Sequence, residues 1–274
     1  MTASPALASV LASLSAGKVY DLAQTLQTGM ACSPNHPGFR MALQRRHGDQ
    51  NRADGTSSAS ELIITGGHVG THIDALSHFS DAGCLHGGVD AAAAQQTGRF
   101  TKHGAETIPP FLHRGVLLDV AATAGVEVLA PGVSVDTATL QTTAAAAGVE
   151  VRAGDVVLVR TGWSRHFADA QRFLGLHDGV PGITTDAAAW LADTGVVAVG
   201  GDTTSVEQIP AGQGHSLLPV HRLLLVERGI YLIEMLDLEK LAADNIAEFL
   251  FVAIPLKILG GTGSPLRPLA VTAQ

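Results

Sequence analysis

The chain has 274 residues, 46 % of them hydrophobic, enough to bury a substantial core in one large domain or two small ones. Lysine and arginine number 17 against 25 acidic residues, a formal charge of −8, which argues against a nucleic-acid or anionic-membrane surface as the main partner and leaves small molecules or other subunits. Cys32 and Cys84 are too few for a disulfide framework, so a reducing compartment is expected.

In chain order, the alanine-, serine- and leucine-rich opening to about Gly17 predicts a surface helix. No lysine or arginine precedes Lys18, so the positive region of a secretory signal is missing and a cytoplasmic location is the expectation. A strand is predicted over residues 19–26, then an irregular loop over 28–38, where Pro34, Asn35, His36, Pro37 and Gly38 suit ligand contact better than a core element. Strands follow at 39–46, 61–65, 115–120 and 155–160, the last two nearly continuous apolar runs of the kind buried on both faces.

Helices are predicted at 136–147, opened by Asp136 and closed by Gly148, and at 185–193, closed by Gly195. The run Val196 to Val199 leads into Gly200, Gly201 and Asp202, which puts a carboxylate just past a buried strand, where ligands of α/β sheets commonly bind. A helix over 219–228 ends at Gly229. A strand over 230–236 is apolar on both faces except for Glu234, and residues 248–271 form closing strands. The apolar run 249–256 is broken by Pro255 and falls far short of the roughly 20 residues of a membrane span. Without repeat, linker or composition break, the expectation is one α/β domain over residues 1–274.

The chemistry concentrates in His68-Val69-Gly70-Thr71-His72-Ile73-Asp74-Ala75-Leu76-Ser77-His78. Three imidazoles and a carboxylate offer nitrogen and oxygen ligands to zinc, manganese or iron, and each imidazole can also move protons near neutral pH. On a helix, Asp74 would point away from the face shared by His68 and His72. On a straight strand the two imidazoles would lie about 13 Å apart. Convergence therefore needs a bent segment, with Gly70 supplying backbone angles closed to other residues. Scattered surface or core histidines are the plainer alternative, weakened by four such residues within one short stretch.

This segment resembles, at every fixed position, the His-x-Gly-Thr-His-x-Asp-x-x-x-His signature of the cyclase-like metal-dependent hydrolases, which include isatin hydrolases, kynurenine formamidases and trans-dienelactone hydrolases. The region from His221 through Glu234 to Leu238, Pro255-Leu256-Lys257 and Gly261 to Pro265 recur in similar order, so the resemblance covers most of the chain. It implies a single domain with a mixed central or barrel-like sheet flanked by helices, of the swivelling β/β/α type. It also implies His68, His72 and Asp74 as metal ligands, His78 as proton donor and acceptor, and His221 and Glu234 as later ligands. One or two ions, manganese or zinc, and a homodimer or tetramer are all compatible with it. Glu234 has independent support, because a carboxylate in an apolar strand is costly to bury unless paired or bound to a cation; a buried salt bridge is the alternative.

Where kynurenine formamidases resemble one another in a Trp-Pro-Gly substrate loop, this chain reads Pro34-Asn35-His36-Pro37-Gly38. Loss of the aromatic platform shifts the expectation toward a cyclic substrate, isatin before a lactone, with His36 as a substrate contact or simply an exposed loop histidine. A noncatalytic metal protein would need no His78 beyond its ligands. A nucleophilic hydrolase finds no motif: Gly162-Trp163-Ser164-Arg165-His166 lacks the second glycine of a nucleophile elbow, and Cys84 reads as a loop thiol near His86. Gly260 to Ser264 lacks the lysine of a phosphate loop, and Asp202 suits an Asx turn as well as a site.

Overall fold

Apolar runs with no solvent face form the centre of the computed structural model, which describes residues 5–96 and 98–273. Nine strands make one mixed sheet: β1 Val19–Asp21, β2 His72–Asp74, β3 Phe111–Asp119, β4 Val156–Arg160, β5 Ala198–Gly201, β6 Tyr231–Glu234, β7 Glu248–Ala253, β8 Gly263–Pro265 and β9 Leu269–Val271. Their spatial order is β1-β9-β7-β3-β4-β5-β6-β2-β8, open at both edges rather than closed into a barrel. The four strands β3 to β6 lie parallel and in sequence order, and antiparallel strands extend the sheet on either side.

Parallel neighbours require crossovers, and the helices supply them. After α1 Pro5–Ala16, α2 Thr137–Ala146 joins β3 to β4, α3 Thr185–Thr194 joins β4 to β5, and α4 Pro219–His221 leads into β6. Asp136 caps α2 by accepting from the Thr139 amide at 2.8 Å, and Gly195, at φ +89°, closes α3 in the left-handed region. Beyond His221 the expected helix continues through Arg222–Arg228 with the wider π-helical pitch.

Period-two alternation divides the core between the two faces of the sheet. Val157, Val159, Val199 and Leu232 pack with Leu140, Leu191 and Leu224 of the helical layer. Val156, Leu158, Ala198 and Ile233 pack with Phe111, Phe251 and Leu236 on the other side. Because Ile233 and Ile73 point to that second side, alternation turns Glu234, His72 and Asp74 toward the helices. The site therefore forms on the helical face, at the carboxyl end of β6.

Several elements differ from expectation in extent. The strand expected over 19–26 ends at Asp21, since Ala23 makes only an isolated bridge to Leu236 and the chain then turns toward the site. The strand expected at 115–120 begins at Phe111, where pairing with β7 extends it. The opening helix begins at Pro5 within the described residues, and the first four positions of the predicted segment lie outside them. The predicted strands near residues 40 and 60 form a separate hairpin, Arg40–Arg45 with Ser60–Ile64, that leaves Leu43, Leu62, Ile63 and Ile64 exposed. No described helix is long and apolar enough to cross a membrane.

On β3, Gly115 faces Phe249 of β7, and a Cβ built there would stand 2.1 Å from the phenyl ring. Gly115→Ala is expected to cost about 1–3 kcal/mol by overpacking, read as a lower urea midpoint at unchanged slope. A wild-type midpoint would show that the ring moves freely and that the β3–β7 contact is loose.

Candidate metal centre

The bend expected at Gly70 is present: its φ is +65°, and a Cβ there would meet Leu26 and Met30 side chains at 2.5 and 2.9 Å. The chain consequently folds back before β2, so the His68 and His72 ring centroids lie 5.2 Å apart instead of at opposite ends of a straight strand. In the sheet, Glu234 of β6 is the direct cross-strand partner of His72, and Asp74 follows His72 on the same face. His221, delivered by α4, approaches from the helical layer. Asp74, His72, His221 and Glu234 are all at most 5 % exposed.

Their atoms converge. His72 Nε2 lies 3.6 Å from Asp74 Oδ1 and 3.3 Å from Glu234 Oε2, while His221 Nε2 lies 3.1 Å from Glu234 Oε1 and 3.6 Å from Asp74 Oδ2. His72 Nδ1 donates to the Gly70 carbonyl at 2.7 Å, and His221 Nδ1 donates to Glu207 Oε1 at 2.6 Å. Those bonds aim Nε2 of each ring at the carboxylates, so that loss of the Nε2 proton leaves the tautomer a metal-binding imidazole needs. His72 Nε2, Asp74 Oδ2 and Glu234 Oε1 are buried without a hydrogen-bond partner. Buried polar atoms are normally satisfied, so three orphans around one point fit a cation. Asp74, His221 and Glu234 form one group able to hold an ion, and His68, Asp74 and His78 form a second that shares Asp74.

His68 stands differently from the rest. Its Nδ1 donates to Asp74 Oδ1 at 2.7 Å and its Nε2 lies 2.9 Å from Thr262 Oγ1, so both ring nitrogens already have partners. The ring packs against Gly263, where a Cβ would come within 2.5 Å of it. His78 stacks on His68 with centroids 3.9 Å apart, and His36 stacks on the same ring at 5.0 Å. The His36 and His78 centroids are 6.4 Å apart, so the three imidazoles form a cluster beside the carboxylates.

Burial and neighbouring charge set the protonation states. Burial pushes His78 down to about 4, with His68 and His221 adding to the effect and Asp74 opposing it, so the ring is neutral near pH 7. Burial lowers His36 as well, helped by His68 and His72. Burial would also lower His72 and His221, but carboxylate contacts outweigh it: Glu234 and Asp74 raise the first, Glu207 and Glu234 raise the second. Burial and Asp74 would raise Glu234, yet His221 and His72 draw it down to about 2. Asp74 lies well below the usual carboxylate range, because His78, His68 and His72 overcome its burial.

Asp202 takes no part in this cluster. It is fully buried at the end of β5 and accepts from the Thr161 amide, the Thr161 hydroxyl and the Gly162 amide at 2.7–3.2 Å, tying two loops together, while burial pushes its carboxyl up to about 6. Cys84 is exposed, and Trp163–His166 forms a short 3₁₀ turn with no base on Ser164. Glu207 escaped notice in the sequence. It lies in the loop after β5, six residues beyond the strand, where no local pattern of the sequence marks it.

A cavity of about 210 Å³ opens on the donor cluster, with Ser33, Asn35, His36, Thr204, Ser205 and His215 among its lining residues. His36, singled out from the loop sequence, thus faces the same space as His78 and Glu234.

Comparison with known proteins places these features in context. A sequence model of the family described as "Putative cyclase" matches residues 20–208. Isatin hydrolase of Roseibium aggregatum is 34 % identical over 130 residues, 46 % of this chain and 48 % of that protein, so the match spans about half the length of the curated relative. Among solved structures, one described as a novel cyclase has a TM-score of 0.85 at 29 % identity, covering 98 % of this chain and 94 % of that one. Isatin hydrolase A from Ralstonia solanacearum has a TM-score of 0.73 at 27 % identity, covering 99 % and 98 %.

The raised imidazoles make metal-free stability pH-dependent. Their contribution is fully present below the unfolded value of 6.5 and is lost as pH rises through the higher folded values, whereas His78 is neutral in both states above 6.5. Metal binding displaces those protons and tightens as pH rises. From pH 6.5 upward, the melting temperature of chelator-treated protein is expected to fall while the gain on adding zinc or manganese grows. Parallel pH profiles with and without metal would count against the shared cluster.

Proposed function

The chain belongs to the cyclase family, and on that premise we propose that it is a metal-dependent hydrolase that opens a cyclic amide with water, isatin to isatinate being the first substrate to test. The observation that carries this reading is the set of three orphaned buried atoms, on His72, Asp74 and Glu234, beside a histidine kept neutral by burial. His72, Asp74, His221 and Glu234 would hold a divalent ion, manganese or zinc, and His68 would hold Asp74 in place or join a second ion through the group it forms with Asp74 and His78. When bound, such an ion lowers the pKa of water toward about 7 and polarises a carbonyl.

The protein groups perform the remaining steps. His78, neutral at pH 7, takes a proton from the attacking water and passes it to the leaving nitrogen as the ring carbon–nitrogen bond breaks, leaving a carboxylate and an amine. Stacking on His68 fixes the His78 ring plane. Thr204 and His215 each keep a buried polar atom without a partner and line the cavity, positioned to bond substrate carbonyls.

Charge on the cavity wall favours a neutral ring. Among the described residues neither lysine nor arginine lines it, so nothing cationic from the chain receives the carboxylate carried by N-formylkynurenine or by a dienelactone. Those are the neighbouring readings, as a kynurenine formamidase or a dienelactone hydrolase. A noncatalytic metal protein is the reading of another class, and a neutral His78 beside an accessible cavity supports catalysis over it.

Chelator-stripped protein reloaded with manganese or zinc should open isatin, and inactivity on isatin with turnover of N-formylkynurenine or a dienelactone would redirect the substrate assignment. His78→Ala should keep its metal and lose about 10²- to 10⁴-fold in turnover. His72→Ala should lose metal, measured by elemental analysis. Full metal with unchanged turnover in the first variant, or full metal and activity in the second, would reject the respective role.

A further inference from the structure

Glu207 makes a different set of contacts from the cavity-facing carboxylates. It is 1 % exposed, and both its oxygens are used: Oε1 accepts from His221 Nδ1 at 2.6 Å and from the His221 amide at 3.0 Å, and Oε2 accepts from the Val220 amide at 3.1 Å. One carboxylate thus receives the first free amides of α4 and the ring that α4 carries. Pro219, at the start of this helix, has no amide of its own to satisfy. The helix start and the imidazole are locked to the same group, which leaves the ring little freedom to rotate.

The backbone that presents Glu207 is strained. Val206 has φ +58°, a region a β-branched residue rarely enters, and the Glu207 amide bonds back to the Ser205 carbonyl in a three-residue turn. Ser205 Oγ donates to the Glu207 carbonyl at 3.0 Å, and Val206 is 2 % exposed within the helical-face core. A conformation of this kind costs on the order of 1–3 kcal/mol and persists only where surrounding packing enforces it. Relaxing Val206 to an ordinary extended conformation would swing the next side chain out of line with α4.

We propose that Glu207 is a positioning residue that fixes His221 as the Nδ1–H tautomer, with Nε2 turned toward Asp74 and Glu234, and that the strained turn at Val206 exists to hold it there. This rests on the metal-site reading above. A carboxylate behind a metal-binding imidazole fixes the ring and raises its basicity, and loss of such a partner typically lowers metal affinity about 10- to 100-fold. A simple helix cap would have a different signature, since it would stabilise the protein with or without metal.

The test compares chelator-stripped wild type with Glu207→Gln, which keeps the shape and one acceptor oxygen but presents an amide to α4 or to the ring. Zinc affinity is measured by competition with a chelating dye, together with the metal-free melting temperature. Zinc binding is expected to weaken about 10- to 100-fold, a larger loss than the fall in metal-free stability that the lost contacts to α4 bring. Wild-type affinity in the variant overturns the proposal, and so does a loss of affinity matched by an equal loss of metal-free stability. Nitrogen-15 NMR of the histidine rings in zinc-loaded wild type needs no variant. A protonated Nδ1 on His221 supports the assignment, and an unprotonated one overturns it. A wild type that binds no zinc or manganese defeats the metal-site reading itself, whereas tight wild-type binding with an indifferent variant defeats only the role of Glu207.

Discussion

Two carboxylates buried within reach of each other, Asp74 and Glu234, are the constraint around which the rest of the structure is arranged. An isolated buried carboxylate would shed its charge by taking a proton, and two would do so more readily. Here four imidazoles stand close by, and the pair His72 and His221 lies between the carboxylates at 3.1–3.6 Å. Without an ion, those imidazoles carry the compensating protons. The same geometry leaves atoms unsatisfied that a divalent cation would satisfy at once, so the cluster is built for a charge greater than a proton provides.

Holding such a cluster requires backbone conformations that ordinary sheets and helices do not offer. Gly70 turns the chain back at a position where a side chain would strike Leu26 and Met30. Gly263 lies flat beneath the His68 ring. Met235, directly after Glu234, has φ +55°, and Val206, directly before Glu207, has φ +58°. Both non-glycine residues are locked by burial, and Met235 is further tied by its amide to the Thr203 carbonyl and by its carbonyl to the Thr71 hydroxyl at 2.6 Å. Two of the five described non-glycine residues at positive φ thus stand next to acidic residues of the site, where a small rotation would misdirect a charge.

The cavity opens directly on this electrostatic core. Its walls combine hydroxyl, amide and imidazole groups with Phe79, Leu218 and Met235, and burial holds His36 and His215 toward the neutral form. Among the described residues neither lysine nor arginine lines it, the observation on which the proposal of a neutral substrate rests.

Much of this was readable before any coordinates. The apolar runs ending at Arg160 and Val199, the caps at Asp136 and Gly195, and the alternation of helix and strand indicated the α/β class, because buried strands and capped helices write their pattern locally. The requirement for a bend at Gly70 followed from distance alone, since an extended chain separates His68 and His72 too far to cooperate. Contacts between distant segments were beyond sequence reasoning of that kind. Resemblance was needed to single out His221, and nothing singled out Glu207, since their pairing depends on where α4 docks against the loop after β5. Only the tertiary structure decided that both nitrogens of His68 have partners, that Asp202 anchors loops outside the site, and that His72 faces Glu234 across one step of antiparallel register. Register and docking set direction and distance, and a linear order of residues carries neither.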